Sequence, residues 1–229
     1  MTACLGIRVH DTKDESAGIG QPFPTSDKAY IAVYRPMSEN ISTPAVSNSN
    51  LSIEYYDGLG RPIQAVRCGE SPYGDDLVTT TEYEYGRPVT QWNETPISSK
   101  GQFSSVQVVS KASASAYEGD SKAYSSTTYE SSLLDRISSV TGPGQIWHET
   151  DGGKPVRAEY LINEADGATS CLNFSISGNY DAIVLPTVEG SYPSGVLSVI
   201  KTTDEDGKIT YTFQNNDGQT IMSRCVLES

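Results

Sequence analysis

Basic residues are scarce in this 229-residue chain: 16 Lys and Arg stand against 29 Asp and Glu, a net charge of −13. A phosphate-binding surface needs a basic field, so nucleic acid and anionic membrane are poor partners. Long apolar runs are missing as well, and nothing approaches the ~20 consecutive apolar residues of a membrane-spanning helix. Residues 1–8 have neither a basic start nor a long apolar stretch, so no signal peptide is visible. Composition alone leaves open a cytoplasmic location or a position beyond an export signal. Cysteine is sparse: Cys4, Cys68, Cys171 and Cys225 are separated by 64, 103 and 54 positions. The absence of a C-x-x-C pair or a Cys/His cluster argues against structural zinc. An even count permits disulfides, although scattered buried thiols are preferred, and the pairing stays open. Only two histidines occur, and no G-x-S-x-G elbow accompanies them. His10 sits in a polar stretch, and His148 is read as a satisfied structural histidine, because a catalytic triad also needs a nucleophile and an orienting acid.

What is present is β-pattern. The length suits one large domain or two small ones with a real core. Tyr30-Ile-Ala-Val-Tyr-Arg35 reads as a strand, and the polar residues before it (1–29) form a separate N-terminal segment. Leu51-Ser-Ile-Glu-Tyr-Tyr56 and Arg61-Pro-Ile-Gln-Ala-Val-Arg67 alternate around Asp57-Gly-Leu-Gly60, a hairpin with Gly58 and Gly60 where positive φ is expected. Residues 79–85, Gly86 and Arg87-Pro-Val-Thr-Gln-Trp92 repeat that design. A weaker copy runs from Ser126 through Asp135 to Arg136-Ile-Ser-Ser-Val140. Residues 197–226 read as a three-stranded meander, turned at Asp204-Glu-Asp-Gly207 and Asn215-Asn-Asp-Gly218. Hairpins that each expose an apolar face must stack to bury it, so the pattern predicts an all-β, antiparallel, degenerate repeat array with at most one or two short helices. The array is irregular, with 26 positions from Arg61 to Arg87 and 49 from Arg87 to Arg136.

Residues 98–128 interrupt the pattern with ten serines and an Ala-rich piece, Lys111-Ala-Ser-Ala-Ser-Ala-Tyr117. The Ala-rich piece could make a short helix, but Ser is an indifferent helix former, so a surface loop or insertion is expected there.

Sites for chemistry are few. The carboxylates of residues 204–206 lack the alternating ligand spacing of a calcium loop, and a solvated turn is the simpler reading there, at Asp75-Asp76 and at residues 215–218. Tyr83, Tyr85 and Trp92 offer a candidate stacking surface for sugar, although Tyr is equally a strand former that packs across a pair. No Gly-rich strand-to-helix loop for nucleotides occurs. No catalytic residue, metal or cofactor is expected.

Tyr55-Tyr-Asp-Gly-Leu-Gly-Arg-Pro-Ile-Gln64 resembles the Y-D-x-x-G-R core of the Rhs/YD-repeat family. Thr81-Glu-Tyr-Glu-Tyr-Gly-Arg87 is similar to a shortened copy. Residues 129–144 and Lys201-Thr-Thr-Asp-Glu-Asp-Gly-Lys-Ile-Thr-Tyr211 look like further segments. The ordered set, covering residues 30–229, resembles the domain that precedes the YD repeats in large bacterial Rhs proteins. The resemblance implies a curved β-sheet that contributes to a hollow shell, with repeat turns at Asp57, Gly58, Gly60, Arg61, Gly86, Arg87, Asp135, Arg136, Gly207 and Gly218. It implies a non-catalytic scaffold segment of a secreted or cell-surface protein, whose partner is the remainder of a longer chain. A carbohydrate- or protein-binding module using exposed Tyr and Trp strands is the alternative. The strand at residues 219–226 is also expected either to be mobile or to pair with another chain, with weak self-association preferred, as open edges do.

Overall fold

A computed structural model describes the backbone of residues 6–8 and, in full, residues 24–25, 27–38, 48–148, 153–176 and 185–226. His10, Cys4 and most of the polar N-terminal segment lie outside the described residues. Strands β1 (Gly6–Arg8), β2 (Ala29–Pro36), β3 (Ser49–Tyr56), β4 (Pro62–Arg67), β5 (Asp76–Glu84), β6 (Arg87–Trp92) and β7 (Thr95–Ile97) precede helix α1 (Val106–Ala116). Then come β8 (Tyr124–Tyr129), β9 (Ile137–Thr141), a four-residue helix α2 (Gln145–His148), β10 (Val156–Ile162), β11 (Leu172–Ser175) and β12 (Thr187–Ser191). The meander β13 (Ser198–Thr203), β14 (Ile209–Gln214) and β15 (Thr220–Cys225) follows. The twelve strand pairs of defined register among the described residues are antiparallel, as the alternating pattern predicts. The chain forms two compact units, residues 1–127 with 141–153, and residues 128–140 with 154–229.

In the first unit the strands pair in the order β1-β2-β3-β4-β5-β6-β8, with β7 added to β5. Strand β3 buries every second residue, so Leu51, Ile53 and Tyr55 enter the core while Asn50 and Glu54 face water. Val66, Val78 and Trp92 join them from the neighbouring strands. The core is closed by an element that sequence reasoning placed on the surface. Residues 106–116 are helical, and Val109 and Ser113 are buried within α1, with Val106 packed against the same cluster. Residues 106, 109 and 113 follow helical spacing, so one face meets the core, and Ser113 lies on it while Ser115 is exposed. Packing of that face outweighs the indifferent propensity of Ser. The expected surface loop at residues 98–128 is thereby corrected: it contains a core helix, whereas its end carries β8, the strand expected from Ser126, which pairs with β6.

In the second unit β9, β10, β13, β14 and β15 are successive neighbours. Cys171, Leu197, Val199, Tyr211 and Phe213 form its core. Asn163, fully buried, ties down the long connection between β10 and β13. Its Oδ1 accepts from the Leu197 N–H at 2.8 Å, and its Nδ2 donates to the Pro193 carbonyl at 2.8 Å. Strand β10 was not singled out from sequence, although Val156-Arg-Ala-Glu-Tyr-Leu-Ile162 carries an alternating pattern over its first residues.

Candidate functional site

The residues that recur along the chain converge on one local construction. At the β3–β4 turn, the Asp57 N–H donates to the Arg61 carbonyl and the Gly60 N–H to the Asp57 carbonyl, each at 3.0 Å. Asp57 Oδ1 accepts the backbone N–H groups of Leu59 at 2.8 Å and Arg61 at 3.0 Å. The β13–β14 turn reproduces this: Asp204 Oδ1 accepts from Asp206 at 3.0 Å and Lys208 at 2.8 Å. The β14–β15 turn does so with an amide, Asn215 Oδ1 accepting from Asp217 at 3.0 Å and Gln219 at 2.9 Å. A short polar side chain at the first position thus satisfies donors that a tight turn would leave open. The fourth position must be left-handed, and Gly60, Gly207 and Gly218 have φ of +78°, +83° and +75°. Gly58 is corrected here: its φ lies outside the left-handed region, so its glycine is not required by backbone conformation.

A fourth copy escaped sequence reading because serine opens it. In Ser71-Pro-Tyr-Gly-Asp75 the Ser71 Oγ accepts the Asp75 N–H at 2.7 Å, and Gly74 has φ +83°. The spacing of a small polar residue and a glycine three positions on was the available signal. Next to it, Asp76 is 5% exposed, which corrects its reading as part of a solvated turn. Its carboxylate accepts from the N–H of Gly69 at 2.9 Å, from the N–H of Gly101 at 2.7 Å and from Ser99 Oγ at 2.6 Å. Ser99 and Gly101 come from a distant loop, so neighbouring residues could not reveal the full burial.

The arginines after the turns do more than begin strands. Arg61 Nη2 lies 2.6 Å from Asp57 Oδ2, and its guanidinium stacks 4.5 Å from the ring centre of Tyr83 on β5. The Tyr83 hydroxyl donates to the Pro62 carbonyl at 3.0 Å. Arg136 repeats this arrangement, with its guanidinium 4.9 Å from the ring centre of Tyr160 on β10 and the Tyr160 hydroxyl donating to the Ile137 carbonyl at 3.2 Å. The residue before each arginine, Gly60 or Asp135, is left-handed, Asp135 with φ +53°. Each clamp therefore consists of a left-handed turn residue, an arginine and a tyrosine from the next strand, whose hydroxyl bonds the carbonyl following the arginine. The Arg61 backbone N–H first, and its guanidinium second, hold the Asp57 carboxyl below its ordinary range.

The expected stacking surface is not assembled. Trp92 is 5% exposed, its Nε1 donates to Glu82 at 2.8 Å, and its ring packs 4.7 Å from Tyr124, so it belongs to the core. Tyr83 is engaged by Arg61. Tyr85 is fully exposed, but it sits with φ +48° beside Gly86 (φ +87°) in the two-residue β5–β6 turn rather than on a strand face. This left-handed pair is the backbone of a type I′ hairpin, whose twist matches the strands it joins. Arg87 opens β6 opposite Glu84. His148 is held through its Nε2, 2.9 Å from the Tyr124 carbonyl, with its ring 4.8 Å from that of Tyr124. Among the described residues, no group of three or more His, Cys, Asp or Glu is arranged to hold a metal. No described helix is long and apolar enough to cross a membrane.

Both clamps lie within residues 30–162, the stretch matched by a family described as a domain of unknown function, DUF6443. No curated protein and no solved structure matches the chain. The family match begins in β2, ends with β10 and takes in more than half of the 229 residues; the chain belongs to the DUF6443 family.

Proposed function

We propose that this domain is a non-catalytic scaffold segment of a longer Rhs-type secreted or cell-surface protein, contributing its hairpins to a β-shell. The observation that supports this reading is the use made of the recurring polar residues. Asp57, Asp204 and Asn215 bond within their own turns, and Arg61 and Arg136 lie on tyrosines of the adjacent strand. The side chains that mark the repeat therefore join one strand to the next, as a wall of stacked hairpins requires. Electron microscopy of the longest natural reading frame containing this sequence tests the reading. A closed β-wall that incorporates β2 to β10 is the expected result. A free module tethered outside any shell overturns it.

The binding-module reading draws on the complete exposure of Tyr85 next to the Arg61–Tyr83 stack; a Cβ on Gly86 would lie 3.8 Å from Arg61 Nη1. An aromatic face with a polar tip suits a wet ligand such as carbohydrate. Reproducible binding on a glycan array, lost in Tyr85→Ala, would establish this alternative. Equal signals for the two proteins would remove it.

A further inference from the structure

We propose, building on the scaffold reading, that the tips of the arginine-opened hairpins are a seam on which another row of hairpins of the same longer chain packs. Three hairpins open their return strand with an arginine that follows a left-handed residue, and each carries a large apolar residue just before that left-handed one. These are Leu59-Gly60-Arg61, Tyr85-Gly86-Arg87 and Leu134-Asp135-Arg136. Leu59 is 79% exposed, Leu134 64%, and Tyr85 completely. Neither turn geometry nor packing accounts for them. The turns at residues 204–207 and 215–218 keep the hydrogen bonds of the β3–β4 turn with Asp206 and Asp217 in the place of Leu59. Tyr85 has φ +48°, a conformation that suits Asn, Asp or Gly and is unfavourable to a bulky side chain. Apolar residues held against local preference, and left in water by their own fold, point to a contact outside it.

In the first unit the start of β4 lies beside the end of β5, so the β3–β4 and β5–β6 turns fall at one end of the sheet. A Cβ on Gly86 would lie 3.8 Å from Arg61 Nη1, and Leu59 and Tyr85 therefore share a rim. In the second unit Leu134 holds the same place in the hairpin that Arg136 opens. Charge decides what such tips admit. A net charge of −13 repels an acidic partner from most of the surface and attracts a basic one. At the tips the arginines are balanced instead: Arg61 lies 2.6 Å from Asp57, Arg136 lies 4.0 Å from Glu130, and Arg87 opposes Glu84 across the β5–β6 ladder. A locally neutral rim with apolar tips has no field to recruit a strongly charged partner. It fits another rim of its own kind, apolar tip against apolar tip, supplied by hairpins elsewhere in the same polypeptide.

Hydroxyl-radical footprinting of the 229-residue chain and of the longest natural reading frame that contains it tests the proposal. Leu59, Tyr85 and Leu134 should be oxidised readily in the shorter protein and lose that labelling in the longer one. Tyr73 is the control. It is 94% exposed in the β4–β5 turn, at the opposite end of the first unit's sheet, and no arginine follows its glycine, so its labelling should persist in both proteins. Two substitutions add a test of sign. Leu59→Asp copies the turns at residues 204–207 and 215–218, and Tyr85→Asn suits the left-handed position, so the melting temperature of the shorter protein should hold or rise. In the longer protein each should lower it, because a polar group then enters an apolar seam. Persistent labelling of Leu59 and Tyr85 in the longer protein, equal protection of Tyr73, or the same temperature shift in both proteins overturns the proposal. A closed β-wall in electron micrographs with its tips still labelled removes the seam and leaves the scaffold reading standing, whereas a tethered module without a wall removes both.

Discussion

Two glycines in one turn separate conformational need from sequence resemblance. Gly60 and Gly58 both lie in Asp57-Gly-Leu-Gly60, yet only Gly60 is left-handed, and an added Cβ would meet nothing within 4 Å at either position. Any penalty at Gly60 therefore comes from backbone conformation rather than from a clash. Gly60→Val should cost about 1 kcal/mol or more, whereas Gly58→Ala should change stability little. Thermal unfolding of the two variants side by side checks this, and equal melting temperatures would contradict it. Cys68 makes a second residue-scale case. Burial first, and the charges of Asp76 and Glu70 after it, push its thiol up to about 12. The fold therefore favours the protonated thiol. Its contribution to stability is complete below the ordinary thiol pKa of about 8.5 and declines as pH rises from there towards about 12. In a Cys4→Ser chain at mildly alkaline pH, exposed Cys225 should react quickly with a thiol reagent, while the partly buried Cys68 should react much more slowly. Equal rates would show that Cys68 is accessible.

At the scale of elements, the helix and the strand pairs follow different logics. Helix α1 carries a buried Ser113 Oγ without a hydrogen-bond partner, in contact with the same core that Val109 fills. An unpaired buried hydroxyl is costly, and Ala is the better helix former. Ser113→Ala should thus raise the melting temperature or leave it unchanged, while Val109→Ala should cost roughly 1–3 kcal/mol. Denaturant unfolding of both variants distinguishes this helix from a surface insertion, for which both changes would be silent. Two of the strand pairs, β4–β5 and β9–β10, also carry Arg–Tyr clamps. A double-mutant cycle on Arg61 and Tyr83 should return a coupling of about 0.5–1 kcal/mol, the range of a partly exposed cation–π contact. A coupling near zero would reduce the stack to mere proximity. The hairpins on either side of these clamps were legible in the sequence, because alternation and turn residues are local signals. The clamps were not, since Tyr83 and Tyr160 lie on the strand after each hairpin and no spacing rule within the hairpin points to them.

At the scale of the whole molecule, the all-β class follows from one sequence property, the repeated alternation of apolar and polar residues between Asx- and Gly-bearing turns. The turns at residues 57–61, 204–208 and 215–219 were determined by the sequence itself, since each is held by bonds from a side chain to backbone two and four positions ahead. Such bonds form wherever that short segment occurs. Tertiary structure decided the rest. Tyr85 and Trp92 look alike as exposed aromatic candidates, but Trp92 is covered by Tyr124 from β8, while Tyr85 stands at a turn with nothing over it. Asp76 resembles its neighbour Asp75 until Gly69, Ser99 and Gly101 close around it. The Ala- and Ser-rich piece became a core helix because the first unit's sheet offered Val109 an apolar surface. In each case the deciding partner is distant along the chain, so local preference could not anticipate which residues would lose their contact with water.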